Sequence, residues 1–125
     1  MMKFASLRLV TNDIERLIAF YTRLTGRTAN RLAPEFAEFR ADGFVLAISS
    51  EGLIARFNAG AAVAAANRSA MIEFEVDDVD AVLAGQGEDG LDIAMAPADM
   101  PWGNRWMLLR DPDGNVVNIF ARKAA

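Results

Sequence analysis

Residues 106–120 read WMLLRDPDGNVVNIF, and this stretch decides the fold. Trp106, Leu108 and Arg110 alternate with Met107 and Leu109, the period of a β-strand. The alternation stops at Asp111-Pro112-Asp113-Gly114-Asn115. Pro presets the φ of a turn position and Gly accepts the positive φ that a tight turn needs. From Val116 to Phe120 the alternation resumes with β-branched and aromatic residues. The reading is strand, turn, strand. Asp111 and Asp113 are turn formers in it rather than catalytic carboxylates.

Working outward, the same grammar recurs. Phe4 to Thr11 alternates as a strand, and Asn12 is placed to cap the helix that follows. Ile14, Leu17, Ile18, Tyr21 and Leu24 share one helical face, and Gly26 is its stop. Residues 27–34 are mixed in character. Phe36–Arg40 and Phe44–Ser49 are short strands about an Ala41-Asp42-Gly43 turn. Residues 51–69, EGLIARFNAGAAVAAANRS, are Ala-rich and read as a linker holding one or two helical turns. Ala70–Val76 is a strand again. Asp77 or Asp78 caps a helix with Val79, Val82 and Leu83 as its apolar stripe, ended by Gly85, Gly87 and Gly90. Leu91–Met95 is a short strand, and Pro97 and Pro101 bracket a turn before the opening hairpin.

The order strand, helix, strands is therefore stated twice. Ser6–Ile14 lies over Met71–Val79, and Asp42–Ile48 lies over Asp113–Ile119, with element type, parity and turn position in agreement. The predicted class is α+β: two tandem βαβββ units, about 3–50 and 70–122, joined by a linker at about 51–69. Two such sheets side by side curl into an incomplete barrel around a concave cleft.

Composition narrows the function. With 125 residues, 53% hydrophobic and 24% charged, the chain is one globular domain. No window approaches the roughly 18 apolar residues of a membrane span, and MMKFASLRLV does not read as a secretory signal. The absence of Cys removes disulfides, thiol nucleophiles and thiolate metal sites, and fits the cytoplasm. Net charge is −4 with no basic run, which argues against nucleic acid. The absence of His removes the imidazole base and the usual nitrogen ligand of Zn, Fe, Ni and Cu.

Three segments, LRLVTNDIERLIAFYTRLTG at 7–26, IEFEVDDVDAVLA at 72–84 and PWGNRWMLLRDPDGNVVNIF at 101–120, resemble the vicinal oxygen chelate superfamily. That family includes glyoxalase I, extradiol dioxygenases and bleomycin-resistance proteins. The resemblance implies the paired-unit fold, and in catalytic members a divalent metal held by the first and last strands of each unit. Carried over, the ligand positions are Ser6, Ala47, Met71 and Asn118, where the family usually has His, Glu or Gln. Ala47 has no donor, Met71 is a soft thioether, and Ser6 and Asn118 are neutral. No metal and no cofactor is therefore expected.

Parity then predicts the cleft lining: Phe4, Ser6, Arg8 and Val10 from one unit, Met71, Glu73 and Glu75 from the other. Val45, Ala47, Ser49, Val116, Asn118 and Phe120 join from the last strands. The bland alternative is that these residues simply pack together. Arg8 and Glu73 hold equivalent places and are read first as an ion pair, second as a polar anchor for a ligand. Trp102 and Trp106, with Phe36 and Phe57, offer faces that stack on planar ligands or attract cations. Arg105 is either an anion contact or a solvated side chain. The expected function is a metal-free, homodimeric binder of a small aromatic or cationic molecule such as an antibiotic, the dimer being implied by the resemblance. The alternatives are a lyase, isomerase or dioxygenase using Glu73, Glu75 and Asn118, or an interaction module whose concave face fills itself.

Overall fold

In the computed structural model, residues 1–86 and 90–122 are described; Gly87 and the end of the polar tail lie outside them. The chain divides into units at residues 1–66 and 67–125. The predicted α+β class and tandem βαβββ units are present. Unit 1 contains β1 (Leu7–Thr11), α1 (Ile14–Thr25), β2 (Asn30–Ala33), β3 (Phe36–Ala41), β4 (Phe44–Ser50) and α2 (Glu51–Phe57). Unit 2 contains β5 (Met71–Glu75), α3 (Val79–Gln86), β6 (Asp92–Asp99), β7 (Arg105–Arg110) and β8 (Val116–Ala121). Each unit builds one open four-stranded sheet, ordered β1-β4-β3-β2 and β5-β8-β7-β6. In both, the first strand runs parallel to the last and the other pairs are antiparallel.

Strand register carries the repeat down to single residues. Leu7 lies opposite Leu46 and Arg8 opposite Ala47. In unit 2, Ile72 lies opposite Val117 and Glu73 opposite Asn118. The two sets of pairs are equivalent when the two halves of the sequence are superposed.

Alternation sends one face of each sheet under its helix. In unit 1, Leu9, Leu46, Ile48, Ala37 and Phe39 are buried together with Leu17 and Tyr21 of α1. The Tyr21 and Phe39 rings lie 6.4 Å apart. In unit 2, Ile72, Met107, Leu109, Val117 and Ile119 are buried with Val79 of α3. Burying such aliphatic side chains contributes about 1.5–3 kcal/mol each.

Several boundaries differ from those predicted. β1 begins at Leu7 rather than Phe4, where its ladder with β4 opens opposite Leu46. Phe4 is exposed. Asp13, not Asn12, caps α1, accepting from the Arg16 N–H at 3.1 Å; its charge also suits the positive end of the helix dipole. Gly26 ends α1 in the left-handed region, φ 69°, and donates to Thr22 O. The stretch read as a linker begins with α2, capped by Ser50. The Ser50 hydroxyl donates to Glu35 at 2.9 Å and accepts from the Leu53 N–H. Glu35 also pairs with Arg56. The mixed stretch after Arg27 supplies the edge strand β2. Gly85 lies inside α3 rather than ending it. β6 runs to Asp99, through Pro97, where a turn was predicted. It is an edge strand whose register slips between Ile93 and Met95 and again before Ala98, which tolerates a residue without an N–H. The turn itself spans Met100–Asn104. No helix among the described residues is long and apolar enough to cross a membrane.

Candidate functional site

The sheet face turned away from α3 is assembled in cross-strand rows. Glu73, Asn118, Leu108 and Met95 form one row; Glu75, Phe120, Trp106 and Ala98 form the next. Four of the predicted site residues thus share a face: Met71, Glu73, Trp106 and Asn118. Trp102 joins them from the β6–β7 turn, its ring edge-on to Trp106 with centroids 5.3 Å apart. Trp102 is 57% exposed. Trp106 Nε1 is buried and has no hydrogen-bond partner among the described residues.

Beside this pair, the Asn118 amide donates from Nδ2 to Glu73 Oε2 at 2.8 Å. Asn118 is fully buried and Glu73 is exposed. Asn118 Oδ1 is left buried and without a partner. Such an atom forfeits roughly 1–3 kcal/mol of hydration unless something donates to it. Glu75, one row on, is held by Arg122 at 3.2 Å, and Arg122 also lies over the Phe120 ring.

Unit 1 presents a different set on the face turned away from α1. Arg8 lies over the Phe36 ring at 5.9 Å and donates to Asn58 Oδ1 at 3.0 Å. The expected partner of Arg8 was Glu73; each instead has a hydrogen-bond partner inside its own unit. Glu38, in the row of Arg8 and Ala47, pairs with Arg40. Ser49 Oγ is buried with no partner among the described residues. Phe57 is exposed with Arg56 over its ring.

Sequence reasoning missed two of these partners. Asn58 sits in the stretch read as a linker, where nothing marks it. Arg105 was weighed as an anion contact, yet it is bidentate to Asp80 of α3 at 2.7 and 3.1 Å and also binds Asp99. Hydrogen bonding to Arg105 holds the Asp80 carboxyl below its usual range, and the same bonds push Arg105 up. Asp111 and Asp113 are turn residues as read. Asp111 is buried and accepts from the N–H groups of Asp113 and Asn115 and from Asn115 Nδ2. Gly114 has φ 82°.

A sequence profile of the glyoxalase/bleomycin resistance protein/dioxygenase superfamily matches residues 3–119. The chain belongs to that superfamily. A glyoxalase/bleomycin resistance protein/dioxygenase from Nocardioides is 28% identical with a TM-score of 0.81, over 100% of this chain and 86% of its own. A glyoxalase-related enzyme from Fulvimarina pelagi is 22% identical with a TM-score of 0.78, over 98% and 89%. A family enzyme from Burkholderia phytofirmans PsJN is 19% identical with a TM-score of 0.78, over 94% and 96%. The last two likenesses establish the fold alone. No curated protein matches.

Catalytic members of the superfamily imply a divalent metal, and the residues in its places here do not fit one. In unit 1 the positions are an exposed Ser6 and the methyl of Ala47. In unit 2 they are the Met71 thioether, 47% exposed, and Asn118, which brings one neutral amide oxygen. The set offers no carboxylate and no imidazole, and Met71 is a poor donor to hard cations. Among the described residues no three His, Cys, Asp or Glu side chains gather where an ion would sit.

Proposed function

We propose that the protein binds a small planar, cationic molecule without metal and without turnover, sequestering an antibiotic-like compound. The observation that carries this reading is the Trp102–Trp106 pair beside the Glu73–Asn118 row on one sheet face. An exposed indole edge-on to a second indole offers a stacking surface, and the exposed carboxylate favours a positive charge. The donor-poor set Ser6, Ala47, Met71 and Asn118 supports the metal-free part of the reading. The net charge of −4 assists encounter with cations through the long-range field. A homodimer belongs to the same reading and rests on the family resemblance.

The two Trp residues are the only ones in the chain, so intrinsic fluorescence reports on this face. Chelator-treated protein titrated with metal-free bleomycin and with naphthylalkyl ammonium ions is expected to give a saturable change. Trp102→Ala is expected to weaken binding about two- to tenfold, since a stacked aromatic contact is worth about 0.5–1.5 kcal/mol beyond its area. Unchanged affinity in Trp102→Ala, or no response in the parent protein, would defeat the reading.

A further inference from the structure

We propose that Asp42–Gly43 is a site of spontaneous isoaspartyl modification, and that the same dipeptide in unit 2, Asp113–Gly114, is locked against it. Asp-Gly occurs three times in the chain, at 42–43, 89–90 and 113–114; Asp89 lies outside the described residues. The first and the last hold the same place in the repeat, the turn between the final two strands of each unit. In the reaction the Gly43 nitrogen attacks the Asp42 carboxyl carbon. Its N–H hydrogen and the carboxyl OH leave as water, and a succinimide ring closes. Water then opens the ring at either carbonyl. Opening at the former side-chain carbonyl restores Asp. Opening at the former main-chain carbonyl leaves the chain running through the side-chain carbons, with the old main-chain carboxyl as the new side group. No reagent other than water enters or leaves, and the following Gly has no Cβ to obstruct the attack.

The two turns differ in what holds the attacking nitrogen. Gly114 N–H donates to Asp111 O at 2.9 Å. On either side, the Asp113 and Asn115 N–H groups donate to Asp111 Oδ1 at 2.9 and 3.0 Å. Asp113 Oδ2 is buried. The backbone around the reacting pair is thus fixed by one residue, Asp111. The superposition that lays Asp42 over Asp113 puts Arg40 in the place of Asp111, and a guanidinium has no acceptor to offer. Asp42 and Gly43 are both exposed. Among the described residues nothing holds the Gly43 N–H. The consequence falls on unit 1. This turn joins β3 to β4, a central strand of its sheet, and the ladder closes at Ala41 opposite Phe44. An isoaspartyl residue inserts an extra methylene into the chain at that point and loosens the tip of the hairpin.

The test is incubation of the whole protein at pH 7 in heavy-oxygen water, folded and in urea, followed by peptide mapping. Each ring opening leaves a heavy oxygen in the residue. Trypsin cuts after Arg40 and Arg56 and after Arg110 and Arg122, so the two turns fall in separate peptides. In the folded protein the label at Asp42 is expected to exceed that at Asp113 by at least about tenfold, the factor that a local opening costing about 1.4 kcal/mol imposes. In urea the ratio should fall close to one. A methyltransferase that recognises isoaspartyl carboxylates should modify only the Asp42 peptide of the folded protein. Asp42→Glu keeps the charge of an exposed residue but would need a larger ring, and should abolish the label at that position. Equal labelling of the two peptides in the folded protein would overturn the lock. An Asp42 that stays unlabelled in the folded protein, or in urea, would overturn the site, as would label that persists in Asp42→Glu.

Discussion

Asp111 shows how much one side chain settles in this protein. It is buried, accepts from two backbone N–H groups and the Asn115 amide, and closes the turn that the sequence announces as DPDGN. Asn67 extends the network by donating to Asn115 Oδ1 at 3.1 Å. Asp111→Ala leaves three donors without their acceptor and is expected to destabilise by on the order of 3 kcal/mol. Thermal melting should show a Tm lower by roughly 10 °C; a change within a degree or two would contradict this. The turn was legible because Pro, Gly and Asp each act through their own backbone. Glu73–Asn118 was not legible as a pair. Parity placed both on one face, but their opposition depends on strand register, which is a tertiary fact. The Arg8–Asn58 bond was hidden because it too is a tertiary fact, joining residues 50 positions apart.

At the scale of elements, helices with strong local signals appeared where the sequence placed them, and edges did not. α1 ends at Gly26 with φ 69°. Gly26→Ala should destabilise by about 1 kcal/mol through the left-handed backbone alone, since space around a Cβ there is open. Equal stability in urea denaturation would refute that. β6 was read too short because Pro97 breaks a central strand but is tolerated on a slipped edge. The α3–β7 contact is tied by Asp80 and Arg105, a link between residues that no local pattern joins. Its carboxyl is held below the usual value of about 3.9. Its stabilisation is therefore complete above that range and fades as pH falls through the lower folded value. The stability difference between the parent protein and Asp80→Asn should be present at pH 7, shrink below about pH 4 and weaken with salt. A difference that grows on acidification would reverse the assignment.

For the whole molecule, the duplicated βαβββ order was legible because it needs only the sequence of elements and their parity, and the two sheets repeat it in register except along their edge strands β2 and β6. The candidate site on the face of unit 2 was legible in part. Parity grouped Glu73 with Asn118, while Trp102 and Trp106 were read separately, and the strand order adds Trp106 to the same face. The homodimer proposed with the binding role predicts a solution mass of twice 13.6 kDa by light scattering; a mass of one chain would remove it while leaving the ligand reading standing. The binding proposed for this superfamily member uses side chains in place of a metal. Isothermal titration of exhaustively chelated protein with a naphthylalkyl ammonium ion, repeated with added Mn²⁺, Ni²⁺ or Zn²⁺, tests it. Stoichiometric binding of unchanged affinity in every condition is the predicted result. Binding that appears only when one equivalent of metal is present would contradict it.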